Sequence, residues 1–424
     1  MTGMGNDTLG LYISVPFCRS KCTYCNFASG VYPASEHARY IDRVIEDLAG
    51  AGAWAAQMGV ELPHRVDTVY LGGGTPSLLA PDLLTRLFQA MRKEFDLDPD
   101  AEITVECAPG QIADATLAAL AASGVNRVSL GVQSFIDREA QVSGRLHSRA
   151  KVEEDLRRLR SAGIANINVD LIAGLAGQTI SSWQESLAVL EEARVPHASV
   201  YMLEVDEDSR LGREMLAGGA RYHAELVPTD EAIATMYSTA IERLAQAGIE
   251  QYEISNFSRP GFASRHNLRY WQRKPYLGLG LDASSMLREA PLPAKALHED
   301  SASSRGSGYV LRTTTTDDLK AYLAAAQPAE TAWLSPARQH EEAWFLGLRL
   351  NSGVAVAALE REFGSRMIAP ALEVVARLAE DGLLATDGKT VRLTPRGQLF
   401  SNDVFQEFLG LVPEADEPTP TTQA

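Results

Sequence analysis

Three of the four cysteines in this 424-residue chain lie within eight residues of one another, at Cys18, Cys22 and Cys25. Three thiolates can hold three irons of a four-iron cluster and leave the fourth iron open to another ligand. A zinc site is the alternative, and it would need a fourth ligand such as Cys107 or His37. The spacing therefore predicts a metal centre, and it excludes a disulfide scaffold, which needs dispersed pairs.

A second candidate element is the run Gly72-Gly73-Gly74-Thr75-Pro76. Glycine has no Cβ, so the backbone here could approach a ligand closely. A glycine-rich turn between a strand and a helix can equally serve tight packing. The run alone leaves both interpretations open.

The elements that must position these residues alternate from about residue 9 to residue 255. Short apolar runs rich in β-branched residues are followed by longer amphipathic segments, which is the pattern of repeated βα units. Strands are predicted at 11–15, 66–71, 102–107, 127–132, 165–172, 198–204 and, more weakly, 251–254. Helices are predicted at 35–56, 81–94, 114–122, 151–162, 181–193 and 230–247. This order requires a parallel sheet, but periodicity does not distinguish a closed or partly open barrel from a long open sheet.

Polar residues stand at or just after several of these strands. Cys18 follows the first strand, Glu106 and Gln133 end the third and fourth, and Asp170 lies in the fifth. The carboxyl ends of parallel strands form one face, where ligands bind. We therefore expect a single site assembled from many strands.

The composition changes after residue 286. We expect a barrel domain at 1–286, a linker or excursion rich in Ala, Ser, Pro and Gly at 287–335, and a disordered tail at 412–424. Residues 336–411, between the linker or excursion and the tail, are predicted to form three helices and a hairpin around Asp387-Gly388. This pattern is typical of a winged-helix-like α+β domain. Its third helix is acidic, so we interpret the domain as a protein-interaction or lid module.

Charge and hydropathy exclude several classes. The chain has 55 acidic and 39 basic residues, a net charge of −16, which disfavours nucleic acid as a partner. No apolar run reaches the roughly 20 residues of a membrane span, and residues 1–10 lack a secretory signal pattern. A cytoplasmic location is expected.

Residues 11–25, Leu-Tyr-Ile-Ser-Val-Pro-Phe followed by the cysteine run, resemble the cluster loop of the radical S-adenosylmethionine (SAM) superfamily. The resemblance covers nearly the whole chain and is strongest to the branch that contains oxygen-independent coproporphyrinogen III oxidase and HemW haem chaperones. It implies an α/β fold, a partial (β/α) barrel of about six parallel βα units with the winged-helix-like domain appended. It also implies a [4Fe-4S] cluster on Cys18, Cys22 and Cys25, with SAM at the open iron.

The same resemblance implies the SAM-binding residues, and it gives no catalytic residue beyond them. They are Tyr12, Tyr24, Gly73, Gly74, Thr75, Glu106, Gln133, Arg145 and Asp170. The residue types suit the ligand, because carboxylates accept from hydroxyl and ammonium groups and a guanidinium binds a carboxylate. Ser14 departs from the family, which often has His at that position.

Two positions separate the members of this branch. The oxidases carry another cysteine two positions after the third, where this chain has Phe27. His266, Asn267, Tyr270 and Trp271 match a His-Asn-x-x-Tyr-Trp motif associated with haem in the chaperones. By residue type alone, such a histidine is more typical of a buried hydrogen-bonded side chain. The resemblance instead predicts a haem ligand at His266, with His147 or Tyr270 as candidates for a second.

The resemblance therefore implies that the protein is a haem chaperone, which carries a cluster and SAM and passes haem to acceptor haemoproteins. The alternative is a radical SAM oxidase that modifies a tetrapyrrole, similar to coproporphyrinogen III dehydrogenase. A DNA-binding redox regulator is disfavoured by the acidic charge. Expected partners are a flavodoxin or ferredoxin as electron donor, respiratory membrane proteins in transient contact, and a second copy of the chain.

Overall fold

The computed structural model describes residues 8–291, 308–324 and 330–411. The strands are β1 Leu9–Val15, β2 Arg65–Gly73, β3 Asp96–Cys107, β4 Arg127–Gln133, β5 Asn166–Ala173, β6 His197–Met202, β7 Glu250–Glu253, β8 Asn256–Ser258, β9 Tyr276–Leu279, β10 Ser284–Arg288, β11 Val310–Thr314, β12 Glu330–Leu334, β13 Val354–Ala355, β14 Leu384–Thr386 and β15 Thr390–Leu393. The helices are α1 Ala34–Met58, α2 Pro81–Glu94, α3 Asp114–Ala122, α4 Asp137–Val142, α5 Arg149–Ser161, α6 Ile180–Ala193, α7 Arg210–Leu216, α8 Asp230–Gln246, α9 Arg265–Trp271, α10 Leu319–Leu323, α11 Pro336–Leu348, α12 Val356–Phe363, α13 Ser365–Glu380, α14 Pro395–Leu399 and α15 Ser401–Gln406.

The main sheet has the strand order β12-β11-β10-β9-β1-β2-β3-β4-β5-β6-β8-β7. Strands β1 to β6 are parallel neighbours in sequence order, and β9 also pairs with β1 in parallel. The prediction of six parallel βα units is confirmed. Within the described residues β12 and β7 end the sheet without pairing to each other, so the barrel is partial and open.

The two faces of each central strand differ in chemistry. In β4, Val128, Leu130 and Val132 are fully buried in the apolar core beneath the helices. Between them, Arg127 and Ser129 point to the inside of the curved sheet, where they line a cavity. Because side chains alternate along a strand, one strand supplies both the core and the cavity wall.

The helices cover the outer face of the sheet. At the start of α6, the Thr179 hydroxyl accepts a hydrogen bond from the Ser182 amide at 3.1 Å, which caps the helix. In the same helix, Trp183 is fully buried and donates from its indole nitrogen to the Met236 carbonyl of α8 at 2.7 Å. This contact fixes α6 against α8 outside the sheet.

The described part of 287–335 extends the main sheet and is not a linker. Strand β11 pairs antiparallel with β10, and β12 pairs with β11. Helix α10 lies between them, with Tyr322 packed against Tyr40 of α1 at 5.3 Å between ring centroids. These strands were not predicted because short antiparallel strands next to an Ala-, Ser- and Pro-rich run carry little periodicity. Residues 292–307 and the predicted disordered tail at 412–424 lie outside the described residues.

The C-terminal part forms its own small core. Helices α11, α12 and α13 pack with a three-stranded antiparallel sheet of order β13-β15-β14. Trp344 is fully buried there and stacks on Phe408 at 5.3 Å. The predicted three helices and hairpin are present, and α14 and α15 follow them. None of the helices within residues 8–291, 308–324 and 330–411 has both the length and the apolar character of a bilayer-spanning segment.

Candidate functional site

A cavity of about 570 Å³ runs through the inside of the partial barrel. We call the part at the carboxyl ends of the strands the upper chamber; its lining includes Cys18, Cys22, Cys25, Glu106 and Arg145. We call the part of the same cavity toward the amino ends the lower chamber; its lining includes Arg127, Ser129, Asn168, Ser199 and Asn267. The volume is in the range of small-molecule and cofactor sites.

The cysteine loop carries a hydrogen-bond donor near each sulfur. The Thr75 hydroxyl lies 3.9 Å from the sulfur of Cys18, the Ser29 hydroxyl lies 3.9 Å from that of Cys25, and Arg145 donates to that of Cys22 at 3.4 Å. Such donors stabilise thiolates. The three predicted cluster residues therefore share one wall of the upper chamber, where burial raises the pKa of the Cys18 thiol and the Ser29 and Thr75 hydroxyls oppose that rise.

The donor set fits an iron–sulfur cluster better than zinc. Within the described residues, no three His, Cys, Asp or Glu side chains converge to hold a single metal ion. A four-iron cluster instead takes each thiolate on a different iron, so its cysteines do not meet at one point. Burial raises the pKa of the Cys107 thiol to about 12, and His37 stacks on Phe17 at 3.9 Å. The two candidate fourth ligands for zinc are thus occupied in packing.

The glycine run serves both packing and the cavity. A Cβ on Gly74 would lie 2.7 Å from the carbonyl oxygen of Val15 and 2.9 Å from the amide nitrogen of Phe17. Gly73 has a φ of +94°, which disfavours any residue with a side chain. Gly73, Gly74 and Thr75 also line the upper chamber. Close approach of β2 to the cysteine loop requires these glycines.

Glu106 is a buried carboxyl at the end of β3. It accepts a hydrogen bond from the Tyr70 hydroxyl at 2.9 Å. Burial, followed by the nearby negative charge of Asp170, raises the pKa of Glu106 to about 7. No Lys, Arg or His among the described residues forms a salt bridge with Glu106. Its environment therefore favours a bound cation, such as an ammonium or a sulfonium.

Gln133, at the end of β4, and Arg145, in the segment that follows, also line the upper chamber. Gln133 is an uncommon non-glycine residue with positive φ, +68°, at a register shift between β4 and β5. Arg145 donates to the Gly131 carbonyl as well as to Cys22, while its Nε has no partner among the described residues. This guanidinium retains a free donor next to the cysteines, which suits a carboxylate.

Asp170 lies between the two chambers. Its carboxylate accepts from Ser129 at 3.0 Å and from Asn168 at 2.7 Å, and burial raises its pKa. It shares the cavity with seven other residues that the resemblance assigns to SAM. They are Tyr24, Gly73, Gly74, Thr75, Glu106, Gln133 and Arg145.

Tyr12 is the assigned SAM residue that does not line the cavity. Its ring packs against those of Tyr70 and His266, with centroids 6.2 and 6.4 Å away. It supports the side chains below the cavity in this arrangement.

The haem-motif residues lie at the other end of the barrel from the cysteines. His266 is 1% exposed and does not line the cavity. Its Nδ1 lies 2.9 Å from the Thr68 hydroxyl and its Nε2 lies 2.8 Å from the Tyr270 hydroxyl. Burial and the neighbouring Arg269 and Arg127 lower the pKa of His266 to about 3. The imidazole is neutral and uses both nitrogens, so it is not an open metal ligand in this conformation.

The other members of the motif differ in position. Asn267 lines the lower chamber. The Trp271 ring lies under the Arg349 guanidinium at 4.3 Å, and Tyr270 packs against Tyr276 at 4.7 Å. Only Asn267 of the four is in position to touch a ligand in the cavity.

His147 is the histidine that lines the cavity within the described residues. It is 5% exposed, and its Nε2 has no hydrogen-bond partner in the part of the chain that is described. Burial and Arg145 lower the pKa of His147 to about 4, so the ring is neutral. It lies in the upper chamber, away from the haem motif.

The sequence interpretation missed Arg127, Ser129, Asn168 and Ser199 of the lower chamber. Arg127 and Ser129 alternate with apolar residues along β4, and Asn168 and the predicted Asp170 do so along β5. In a parallel sheet covered by helices, both faces of a strand are usually apolar. Polar residues at every second position were the signal that the inner face is a binding surface.

Comparison with known proteins assigns the chain to the same superfamily that the sequence resembles. A family model described as the radical SAM superfamily matches residues 12–190, and one described as the HemN C-terminal domain matches residues 334–400. The haem chaperone HemW of Lactococcus lactis is 33% identical over 402 residues, which cover 94% of this chain and 96% of the relative. HemW of Bacillus subtilis is 31% identical over 407 residues, 94% and 98% of the two chains.

Among solved structures, the Escherichia coli coproporphyrinogen III oxidase HemN, a radical SAM enzyme, superposes with a TM-score of 0.77. The match covers 96% of this chain and 91% of the oxidase, at 22% sequence identity. At that identity the likeness establishes the fold alone. It extends through both the barrel and the C-terminal helices.

Proposed function

The chain belongs to the HemW family of the radical SAM superfamily, and from that premise we propose that it binds haem and transfers it to acceptor haemoproteins. The observation that supports the proposal is the sequence match to haem chaperones, which covers nearly the full length of this chain and of each relative. Phe27, in place of the cysteine of the oxidases, points the same way.

The family implies a [4Fe-4S] cluster and SAM. Cys18, Cys22 and Cys25 would hold the cluster, which when reduced supplies one electron. Glu106 would accept from the SAM ammonium or hydroxyls, and Arg145 would donate to its carboxylate. Asp170, held by Ser129 and Asn168, would orient the ligand between the chambers. Gly73 and Gly74 would let the backbone approach it.

The residues at the rim of the cavity favour binding of a large apolar surface. Phe27, Leu146 and Phe400 line the cavity with exposed fractions of 62%, 63% and 48%. Large apolar side chains grouped at a cavity mouth are typical of binding surfaces. They suit the apolar surface of an acceptor protein, since the haem itself is proposed to bind at the lower end of the barrel.

We propose His266 as the haem ligand only in a second conformation. Ligation needs the Nε2 atom that now contacts Tyr270, so α9 or the Tyr270 side chain must move. Helix α9 has seven residues and is followed by Arg273 with a φ of +53°. Imidazole is a common axial ligand of haem iron, which supports the assignment once the ring is released.

The test is a haem titration of anaerobically purified protein, followed by Soret absorption. We expect saturable binding near one haem per chain and a changed Soret spectrum in His266→Ala. Transfer to an apo-haemoprotein should follow in the presence of an electron donor such as flavodoxin or ferredoxin. An unchanged spectrum and affinity in His266→Ala would reject that ligand, and His147→Ala is then the next variant to compare.

A second candidate function is oxidation of a tetrapyrrole side chain. It is favoured by one observation, that eight of the nine SAM residues line a single cavity. It predicts deoxyadenosine and a porphyrin product when a reduced porphyrinogen is supplied anaerobically. Absence of both from cluster-replete protein would exclude this activity. Contacts with respiratory membrane proteins and with a second copy of the chain remain part of the chaperone proposal.

A further inference from the structure

Arg127, the first residue of β4, lies at the inner end of the lower chamber. It is 1% exposed, and its side chain lines the cavity. The structure gives it no hydrogen bond and no salt bridge within the described residues, and its Nε is buried without a partner. A buried guanidinium without a paired anion is unfavourable, because desolvation of the charge is not compensated.

Two other buried carboxylates of the barrel already have partners. Glu102 accepts from the amide nitrogens of Arg265 and His266 at 3.0 Å each. Glu253 contacts Asn256 and lies 3.7 Å from Arg349. These carboxylates are therefore not available as close partners of Arg127.

The hydroxyl and amide groups of the lower chamber are likewise paired with each other. Asn168 donates to Ser129 at 2.7 Å and to Ser199 at 3.0 Å, and Ser129 donates to Asp170 at 3.0 Å. Asp170 is thus engaged as well. Arg127 lies near enough to Asp170 for its charge to lower the pKa of that carboxyl. Within the described residues, however, no hydrogen bond or salt bridge joins the guanidinium to a carboxylate, and it faces the cavity.

We propose that Arg127 binds a carboxylate of the ligand that occupies the lower chamber, and specifically a propionate of the tetrapyrrole. The second half of this statement rests on the proposed function. A guanidinium matches a carboxylate with two parallel hydrogen bonds. The neighbouring Asp170 disfavours a more highly charged anion such as phosphate.

This role is separate from that of Arg145. Arg145 lies past the carboxyl end of β4, beside Cys22, whereas Arg127 begins the strand. The Arg145 guanidinium contacts the carbonyl of Gly131, four residues beyond Arg127, so roughly 13 Å of strand at about 3.3 Å per residue separates the two levels. The two arginines therefore serve anionic groups in different chambers. Asn267 of the haem motif lines the same chamber as Arg127, which places the carboxylate site next to the proposed haem site.

The experiment compares haem with its dimethyl ester, which lacks the propionate charges, by Soret titration. The wild-type chain should bind haem roughly 10- to 100-fold more tightly than the ester, the range expected for a charge-assisted hydrogen-bonded pair. Arg127→Met should reduce that preference to about twofold or less, chiefly by weakening haem binding. Arg312 of β11 lies outside the cavity and pairs with Glu342, so Arg312→Gln removes one positive charge elsewhere and should retain the preference.

The outcomes separate the two proposals. If the wild-type chain binds neither compound, the proposed function fails and the carboxylate site fails with it. If it binds both equally, haem binding stands and the role of Arg127 is rejected. Retention of the preference in Arg127→Met also rejects that role. Should Arg127→Met not fold, the wild-type comparison still decides whether a carboxylate is recognised, and Arg127→Lys, which keeps the charge, should retain part of the preference.

Discussion

The Nε2 atom of His266 lies 2.8 Å from the hydroxyl oxygen of Tyr270, one turn further along α9. The pair closes the lower end of the barrel, because Nδ1 of the same ring contacts Thr68 of β2. The histidine that we propose as an iron ligand thus has its Nε2 atom hydrogen-bonded by a residue of the same motif. Removal of the Tyr270 hydroxyl is therefore the first substitution with which to test the role of His266.

Tyr270→Phe should speed or tighten haem ligation. The change frees Nε2 of His266 and removes a hydrogen bond that contributes about 1 kcal/mol, so we expect up to about fivefold tighter binding. Soret titration and stopped-flow absorption measure it. Tyr276→Phe, in the ring that packs against Tyr270, is the control and should bind as the wild type does. Equal binding by both variants would argue against His266 as the ligand.

Binding of SAM should depend on pH through Glu106. Its pKa is raised to about 7, so the free protein holds this carboxyl protonated in mildly acidic solution. A cationic ligand prefers the carboxylate, so binding releases a proton. Affinity should rise up to roughly tenfold per pH unit below 7 and level off above it. Calorimetric titration from pH 6 to 8 measures this slope, and Glu106→Gln should flatten it.

The same group predicts the stability of the ligand-free protein. A carboxyl whose folded pKa is raised from 4.5 to about 7 stabilises the fold only while it is protonated. Its contribution is fully present below pH 4.5 and is lost as the pH rises through 7. Glu106→Gln should therefore increase the free energy of unfolding at pH 8, measured by denaturant titration, and matter little at pH 5. A lower stability of the variant at pH 8 would contradict the assignment.

Gly74→Ala should damage the cluster site. The new Cβ would lie 2.7 to 2.9 Å from backbone atoms of Val15 and Phe17, which cannot move as a flexible side chain could. We expect a loss of about 1–3 kcal/mol in stability and a lower iron and sulfide content after reconstitution. Gly52→Ala is the matched control, since nothing lies within 4 Å of its Cβ inside α1. It should be neutral or stabilise the helix by up to about 1 kcal/mol.

Phe27→Cys should not convert the chain into a coproporphyrinogen oxidase. Phe27 is 62% exposed at the cavity rim, and the three cluster cysteines are present without it. One added thiol leaves the lower chamber unchanged. Product analysis under reducing anaerobic conditions should show no new porphyrin, while iron content stays at the wild-type level. A porphyrin product from the variant alone would show that this one position controls the reaction.

Local pattern was sufficient to predict the central strands and the helices that cover them. The prediction for α2, residues 81–94, agrees with the structure at both ends, and that for β4 misses one residue. Strands β9 to β12 were not predicted, because they are short, largely antiparallel and stabilised by pairing with distant residues. Their edge positions depend on tertiary contacts that no window of sequence contains.

The candidate site was predictable where it depends on spacing. The cysteine triplet and the glycine run follow their strands, so their meeting at one end follows from a parallel sheet. The surroundings of His266 were not predictable, since its partner Thr68 is 198 residues away in sequence. Without the resemblance, residue type alone favoured a buried hydrogen-bonded histidine, and the structure agrees with that interpretation.

The alternation along β4 and β5 has an evolutionary consequence. Folding depends on Val128, Leu130, Val132 and their counterparts on the outer face of the sheet, whereas the inner positions line the cavity. A substitution at Ser129 or Ser199 can change what the barrel accepts while the apolar layer stays intact. Two proteins that inherit this scaffold can therefore differ in function, one catalysing a reaction and the other binding and transferring a ligand. A few substitutions among the inner side chains are sufficient for that difference.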